Sequence, residues 1–435
     1  MTTDTPLLEK DPTKPYIIGI AGSKGKTTVT RLLAHTFQKR RRNTLRVDTD
    51  GHFYNGRQRS TMDESKQLYG LVPTVSPGRY LRSLKGVRNG VAVIETAIGC
   101  ANIYGGLGYR FHHIGIFTNV YEDHIGEGIK DREQLAELKA KYIFRRIYPG
   151  GTAIFNADDP YVVDQLFRVP EECTLLPVGM DFSEFDIAKH LKKGGRAVTI
   201  KNDVIYTLRG NREFPWLDTK SVPWTFQANF VPSLYNLMFV MGAVFAENDF
   251  KMPDRIADRI KSFKLQGGGR LRFLESNKTG IKVLVDYAHE KYSLRKVGQL
   301  ASKLAEGKTI GIIRLAPDRT DKLLRDTGRY IANNFDTIIV YDKIDGVLRD
   351  EVQNVRTGQI RKTGEVSRIV YEAIKKAQSK KHEVHQDIVE ADAIAHAFDI
   401  AKRGDIIVHI VNDDHKRSES MIKKKLGRFR IKSHT

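Results

Sequence analysis

The stretch YIIGIAGSKGKTTVTRLL, residues 16–33, decides the reading of this chain. Tyr16–Ala21 is an apolar run long enough for one buried strand. The turn Gly22-Ser23-Lys24-Gly25-Lys26-Thr27-Thr28 follows, and then Val29, Leu32, Leu33, Thr36 and Phe37 recur at helical spacing. Strand, glycine turn and helix in that order have the architecture of a phosphate-binding loop. Gly22 and Gly25 let backbone N–H groups approach phosphate oxygens with no Cβ between them. The helix N-terminus adds partial positive charge. Lys26 can reach the β- and γ-phosphates of a nucleotide, and the Thr27 hydroxyl can ligate Mg2+. Ser23, Lys24 and Thr28 complete the loop as candidate nucleotide contacts. The pattern is the short form G-[ST]-x-G-K-[ST], because position 20 is Ile. The plain alternative is an ordinary strand-to-helix turn with two glycines, but Gly-Lys-Thr-Thr at such a junction meets three separate requirements. By itself the loop says only "nucleotide".

Composition sets the bounds. The 435 residues suffice for two or three domains with a substantial core, and 40% hydrophobic with 29% charged residues describes a globular chain. No apolar run approaches the ~20 residues of a membrane span. The polar start MTTDTPLLEKDPTKP lacks a signal-peptide core, so the expected location is cytoplasmic, with no membrane partner. Cys100 and Cys173 make neither a disulfide framework nor a zinc-ligand spacing. The net charge of +20 has two readings: a nucleic-acid partner, or an anionic small substrate. Basic clusters at 39–42, 79–88, 141–146, 189–196, 375–382 and 416–430 are dispersed and carry no aromatic-studded RNA motif, which favours solvated faces for most of them.

Residues 1–15 read as a tail. From 16 to about 160, strand-like runs Val91–Glu95, Ile114–Asn119 and Thr152–Asn156 alternate with helical patterns, which argues a parallel sheet with helices on both faces. Functional residues in such sheets gather at the carboxyl ends of strands. Those ends carry Gly22–Thr28, Glu95-Thr96, Asn119–His124 and Asn156–Asp159. Thr199–Leu208 and Val222–Phe230 are expected as strands of a small antiparallel addition, Leu234–Ala246 as a buried helix interrupted by Asn236, and Asp254–Phe263 as another helix. Gln266-Gly267-Gly268-Gly269 is a flexible joint, after which Ile281–Val285, Thr309–Leu315, Thr337–Tyr341 and Asp405–Val411 restart the βα rhythm. The expected architecture is α/β: a central parallel-sheet nucleotide-binding domain, 16–265, followed by a smaller α/β domain, 266–435. Arg270 follows the joint, and Asp286 ends the first strand beyond it; a nucleotide between hinged domains could be closed over by such residues.

Three residues carry the chemistry inside the first domain. Glu95 ends a four-residue apolar run; it is either a cap or turn residue or, beside a phosphate loop, a metal ligand. His124, just past another strand, is a second candidate ligand. In DREQLAELKAKYIFRRI, Leu135, Lys139, Tyr142 and Ile143 fall on one helical face, so Lys139 lies among apolar residues while Lys141 points away. A desolvated lysine favours its neutral amine, which can add CO2 to give an anionic carbamate. A lysine snorkelling from a helix flank fits equally well.

The motifs GSKGKTT at 22–28, ETAIG at 95–99, TNVYEDH at 118–124, NADDP at 156–160, GR at 269–270 and DYAH at 286–289 together resemble the Mur ligase superfamily, in its order and over most of residues 16–415. The text is most similar to the ligase half of the cyanophycin synthetases, through ETAIGCANIYGGLGY, LAELKAKY and PGGTAIFNADDP. The resemblance implies a P-loop ATPase domain and a Rossmann-like C-terminal domain, and an ATP-dependent amide-bond ligase forming an acyl phosphate and releasing ADP and phosphate. It implies that Lys26 holds phosphates, that Thr27, Glu95 and His124 bind magnesium, and that Lys139 is carbamylated as a further ligand. It also implies Asn236 on the adenine side, Arg270 on phosphate and Asp286 on the ribose. The partners are then ATP, a carboxylate acceptor suited by the positive charge to be anionic, and an amino acid or peptide amine. The chain departs from the family where DYAH is followed by Glu290-Lys291 and where Ile98 replaces an arginine. A P-loop nucleotide-binding protein that acts on nucleic acid is the alternative from another class.

Overall fold

A computed structural model describes residues 14–431 except 41, 62–63, 65–73, 98–106, 123–124, 126–128, 265–270, 277, 318, 344–350, 354–359, 380, 413 and 428. The chain divides into two compact units that part after Lys264.

The first unit is built on β1 (Tyr16–Ala21), β2 (Asn43–Asp48), β3 (Gly51–Tyr54), β4 (Arg57–Thr61), β5 (Gly90–Glu95), β6 (His112–Phe117), β7 (Ile147–Asn156), β8 (Thr174–Val178), β9 (Arg196–Lys201), β10 (Val204–Arg209) and β11 (Arg212–Asp218). They form one sheet in the order β11-β10-β9-β8-β7-β6-β1-β5-β2-β3-β4. The strands from β2 to β9 pair in parallel, with Ile20 opposite Glu95 and Ala21 opposite Phe117. Both faces are covered, which is why β1, β5 and β6 read as continuous apolar runs rather than alternating ones. Ala153 and Phe155 of β7 join Ala21 and Phe117 against the helix Arg132–Ile143. Ile154, between them, faces Gly242 of the helix Val231–Glu247 on the other side.

Antiparallel strands extend this sheet at both edges, β3 and β4 on one side and β10 and β11 on the other. The expected strand Thr199–Leu208 is two strands, because Asn202 and Asp203 both take positive φ and turn the chain back as a two-residue hairpin. The expected strand Val222–Phe230 is not one. Pro223 opens a single 3-10 turn, and Phe226, Gln227 and Ala228 all lie at positive φ, which no pleated strand admits. The helix expected over 254–263 is confined to Ile256–Lys261.

The second unit holds β12 (Arg272–Ser276), β13 (Lys282–Asp286), β14 (Thr309–Ile313), β15 (Thr337–Val340), β16 (Glu351–Gln353), β17 (Ile360–Lys362), β18 (Glu383–Gln386), β19 (Ile406–Ile410) and β20 (Phe429–Ile431). Its sheet runs β18-β15-β14-β19-β13-β12-β20, with β16 and β17 as a separate ladder. The five strands from β18 to β13 are parallel, and β12 and β20 close one edge antiparallel. The molecule is thus an α/β protein with a large, mostly parallel sheet and a smaller one. Among the described residues no helix is long and apolar enough to cross a membrane.

Candidate active site

The loop after β1 is held by the strand beside it. Gly22 has φ 139° and Gly25 φ 88°, conformations that favour glycine. A Cβ on Gly22 would lie 1.9 Å from Thr118 Oγ1, and one on Gly25 would lie 2.4 Å from Asn236 Oδ1. Thr118 and Asn119, which follow β6, clasp the loop. The Ser23 N–H donates to the Asn119 carbonyl at 2.9 Å, and the Lys24 N–H to Asn119 Oδ1 at 2.8 Å. Asn119 Nδ2 and Thr118 Oγ1 donate in return to the Lys24 carbonyl, at 3.1 and 2.7 Å. Ser23 Oγ accepts the Tyr121 N–H at 3.0 Å.

The helix begins at Lys26 and runs to Lys39. Lys26 Nζ folds back onto the carbonyls of Gly22 and Ser23, at 2.9 and 3.1 Å. Thr27 Oγ1 donates to Glu95 Oε1 at 3.0 Å across the gap between β1 and β5, and both side chains are buried. One turn on, buried Arg31 bonds Asp48 at 2.9 Å and Asp50 at 2.5 Å, at the carboxyl end of β2. Burial works against the Arg31 charge, but Asp48 and Asp50, with Glu95 behind them, outweigh it and raise its pKa. The charged groups Lys26, Glu95, Arg31 and Asp48 therefore alternate in sign along the carboxyl edge, with the neutral Thr27 hydroxyl bonded to Glu95.

Lys139 is 2% exposed. Its helix neighbours Leu135, Ala136, Ala140 and Ile143 pack in a cluster with Ala21, Phe117 and Val120, at the same carboxyl ends of β1 and β6. Asn236, from the helix Val231–Glu247, stands against Gly25. Its neighbour Tyr235 donates to Asp158 Oδ2 at 2.6 Å, and burial with this bond drives the phenol pKa up. Asp158 also accepts the Met180 and Ser183 N–H groups, at 2.6 and 3.1 Å. Burial raises the Asp159 carboxyl pKa against bonds from the Val120 and Tyr161 N–H groups, at 2.8 and 3.1 Å.

The structure thus assembles Gly22–Thr28, Glu95 and Asn236 around one loop. His124 and Arg270 lie outside the described residues. Asp286 ends β13 in the second unit, where its Oδ2 accepts the Leu271 N–H at 2.9 Å. Asn119 and Asp158 fall in the strand-end segments Asn119–His124 and Asn156–Asp159 expected to carry function, whereas Thr118 and Tyr235 were not singled out for a role. Their signal was present, since Thr118 opens the TNVYEDH segment and Tyr235 adjoins Asn236. Among the described residues no group of three or more His, Cys, Asp or Glu is placed to hold a metal ion. The Thr27 hydroxyl and Glu95 carboxylate are nonetheless two hard oxygen donors at the end of a phosphate loop. That set suits Mg2+, which completes its shell with phosphate oxygens and water.

The family model for the Mur ligase middle domain matches residues 20–181, and that for the Mur ligase glutamate ligase domain matches residues 269–410. The chain belongs to the Mur ligase family. Among its relatives, the cyanophycin synthetase of Trichormus variabilis is 28% identical over 416 residues, which are 94% of this chain and 42% of that protein. The chain therefore spans less than half the length of that relative. Two solved structures share the Mur ligase fold with it. The MurF ligase of Thermotoga maritima, in complex with ADP, superposes with a TM-score of 0.60 at 15% identity, covering 95% of this chain and 80% of that one. The bifunctional folylpolyglutamate synthase/dihydrofolate synthase of Yersinia pestis, complexed with AMPPNP and Mn ion, gives 0.62 at 16% identity, covering 95% and 89%.

Proposed function

We propose that this chain is an ATP-dependent carboxylate–amine ligase that forms an amide bond and releases ADP and phosphate. The observation that carries the reading is the Thr27–Glu95 contact at the end of the clasped phosphate loop, with Lys26 beside it and Lys139 buried behind it. Family membership and the relatives' names support it. In this reading Lys26 Nζ exchanges its two loop carbonyls for phosphate oxygens, and the loop N–H groups and helix N-terminus face the same charge. An oxygen of the acceptor carboxylate attacks the γ-phosphorus, the bond to the β-phosphate oxygen breaks, and ADP leaves. The amine then attacks the acyl carbon, loses a proton, and expels phosphate. Both steps move negative charge onto phosphoryl oxygens, which fixed cations and N–H dipoles stabilise. No protein nucleophile is required.

Mg2+ held by Thr27 and Glu95, with His124 as a further ligand, would neutralise charge on the phosphates. A carbamate on Lys139 would add an anionic ligand. Asn236 would meet the adenine side, and Arg270 and Asp286, from the second domain, phosphate and ribose. The domain boundaries proposed are a tail over 1–15, the ATP-binding domain over 16–265 and the C-terminal domain over 266–435, in the cytoplasm. The acceptor would be anionic, and the second substrate an amino acid or peptide amine.

The deciding experiment measures ATP turnover with Mg2+ and pooled carboxylates and amines, reading ADP, AMP and phosphate separately. ADP and phosphate that require both a carboxylate and an amine support the reading. AMP and pyrophosphate exclude the acyl-phosphate route, and turnover that depends on added RNA instead would sink the ligase assignment.

A further inference from the structure

The 3-10 helix Pro77–Leu84 lies on the sheet face opposite the phosphate-loop helix. It buries Pro77, Tyr80 and Leu84, the last two against Leu45, Val47, Ala92 and Ile94. Its outer side carries Arg79 and Arg82, and the turn beyond it carries Lys85 and Arg88; all four are exposed. The spacing is three residues throughout. In a 3-10 helix residues at i and i+3 eclipse, about 6 Å apart along the axis. Arg79 and Arg82 therefore form one stack; the helix ends at Leu84, and Lys85 and Arg88 follow from the turns beyond it as further exposed charges in the same row. Arg59 of the neighbouring β4 is exposed on the same side; burial, and after it the Arg59 charge, oppose protonation of His52, whose ring lies 4.6 Å from that of Tyr80. Neither segment contains an acidic residue: 51–61 and 74–90 hold six Arg or Lys and no Asp or Glu. Arg57 and Arg59 are explained as charges that blunt an edge strand. The row from Arg79 to Arg88 is not at an edge, and that account does not reach it.

The row has a direction. At one end the Thr74 carbonyl accepts the Ala97 N–H at 2.9 Å, two residues past Glu95. At the other, Asn89 leads into the amino end of β5. The row therefore descends from the carboxyl edge, where the candidate site lies. We propose that it binds an extended, carboxylate-rich polypeptide and leads it to that edge as the acceptor. An extended chain places same-side carboxylates roughly 6.5–7 Å apart, close to the rise from Arg79 to Arg82, with Lys85 and Arg88 next along the row. Single-stranded nucleic acid is the weaker fit, because such surfaces present aromatic rings for base stacking. Here Tyr80 is buried and Tyr54 packs into the same apolar cluster. The choice of an acceptor chain rests on the ligase reading; the binding itself does not.

The test uses the full chain with labelled poly-L-glutamate and labelled oligouridylate, followed by fluorescence anisotropy at low and high salt. The triple variant R82S/K85S/R88S is expected to bind poly-L-glutamate about tenfold more weakly at low salt. K189S/K192S/K193S, an equal charge loss at another exposed basic cluster, should bind as the parent does, and R82K/R88K should retain affinity. Matching thermal midpoints exclude misfolding as the cause. Absence of poly-L-glutamate binding, equal loss in both triple variants, or tighter binding of oligouridylate through the same row would each overturn the proposal. These readouts need no turnover, so they stand or fall separately from the ADP measurement.

Discussion

Gly22→Ala is the sharpest probe of the clasped loop. An alanine there must adopt φ near 139°, and its Cβ would stand 1.9 Å from Thr118 Oγ1 and 3.1 Å from the Asn119 nitrogen. Thr118 cannot swing aside freely, because its hydroxyl donates to the Lys24 carbonyl at 2.7 Å, with the Ala21 carbonyl at 3.3 Å. The strained backbone costs about 1–3 kcal/mol. Displacing the Thr118 hydrogen bond adds about 1 kcal/mol. About 3 kcal/mol falling on the nucleotide-binding conformation corresponds to roughly 150-fold weaker ATP binding. Calorimetric titration of ATP with Mg2+ measures it. Thr118→Ala removes the oxygen that Cβ strikes, so the double variant should bind better than the two single losses predict, by about 1 kcal/mol. Gly22→Ala binding within threefold of the parent, or additive losses within about 0.5 kcal/mol, would refute the clasp as described.

Glu95→Gln keeps an oxygen for Thr27 but removes the charge; the Mg2+ concentration for half-maximal ATP turnover should rise at least tenfold, roughly, and an unchanged metal curve would exclude Glu95 as a ligand. With 13C-bicarbonate, the parent should show a carbamate carbon resonance that Lys139→Ala lacks; a parent spectrum without it would leave Lys139 an ordinary buried amine. His112 is fully buried, and burial pushes its pKa down to about 4, against a bond from its ring to the Ile143 carbonyl. The unfolded chain therefore binds this proton more tightly between about pH 6.5 and 4, so stability is fully present above 6.5 and drains as pH falls, by roughly 3 kcal/mol. Urea midpoints across this range should show a steep fall that His112→Gln flattens; parallel slopes would disprove the assignment.

The parallel cores were legible because their strands are buried on both faces. Apolar, β-branched runs such as Val91–Ile94 and Thr337–Val340 announce themselves without tertiary knowledge. The phosphate loop was legible because glycine, lysine and threonine are each needed there for a separate reason. The hairpins were not. Arg57–Thr61 is polar nearly throughout, since an edge strand buries little, and only Ser60 of β4 is buried. Val222–Phe230 misled in the other direction: its apolar and aromatic residues look strand-like, but Trp224 and Phe226 are buried from turns rather than from a pleat. In the site, Glu95 and Lys139 could be singled out from their own segments. The approach of Asn236 to Gly25 joins residues 211 positions apart, and no local pattern encodes it.

The exchange of hydrogen bonds between Ser23–Lys24 and Thr118–Asn119 has a thermodynamic corollary. A loop fastened to its own sheet already holds its backbone in the shape that receives phosphate, so only the Lys26 side chain has to leave its carbonyls, and measured affinity should stand close to intrinsic affinity. Association should then proceed in one kinetic phase whose rate rises linearly with nucleotide concentration. Among the described residues that fastening joins the loop to Thr118 and Asn119 after β6, while the β3–β4 hairpin and the row beyond it are built from other residues. The residues that hold the nucleotide loop and those proposed to hold the acceptor can therefore be altered separately.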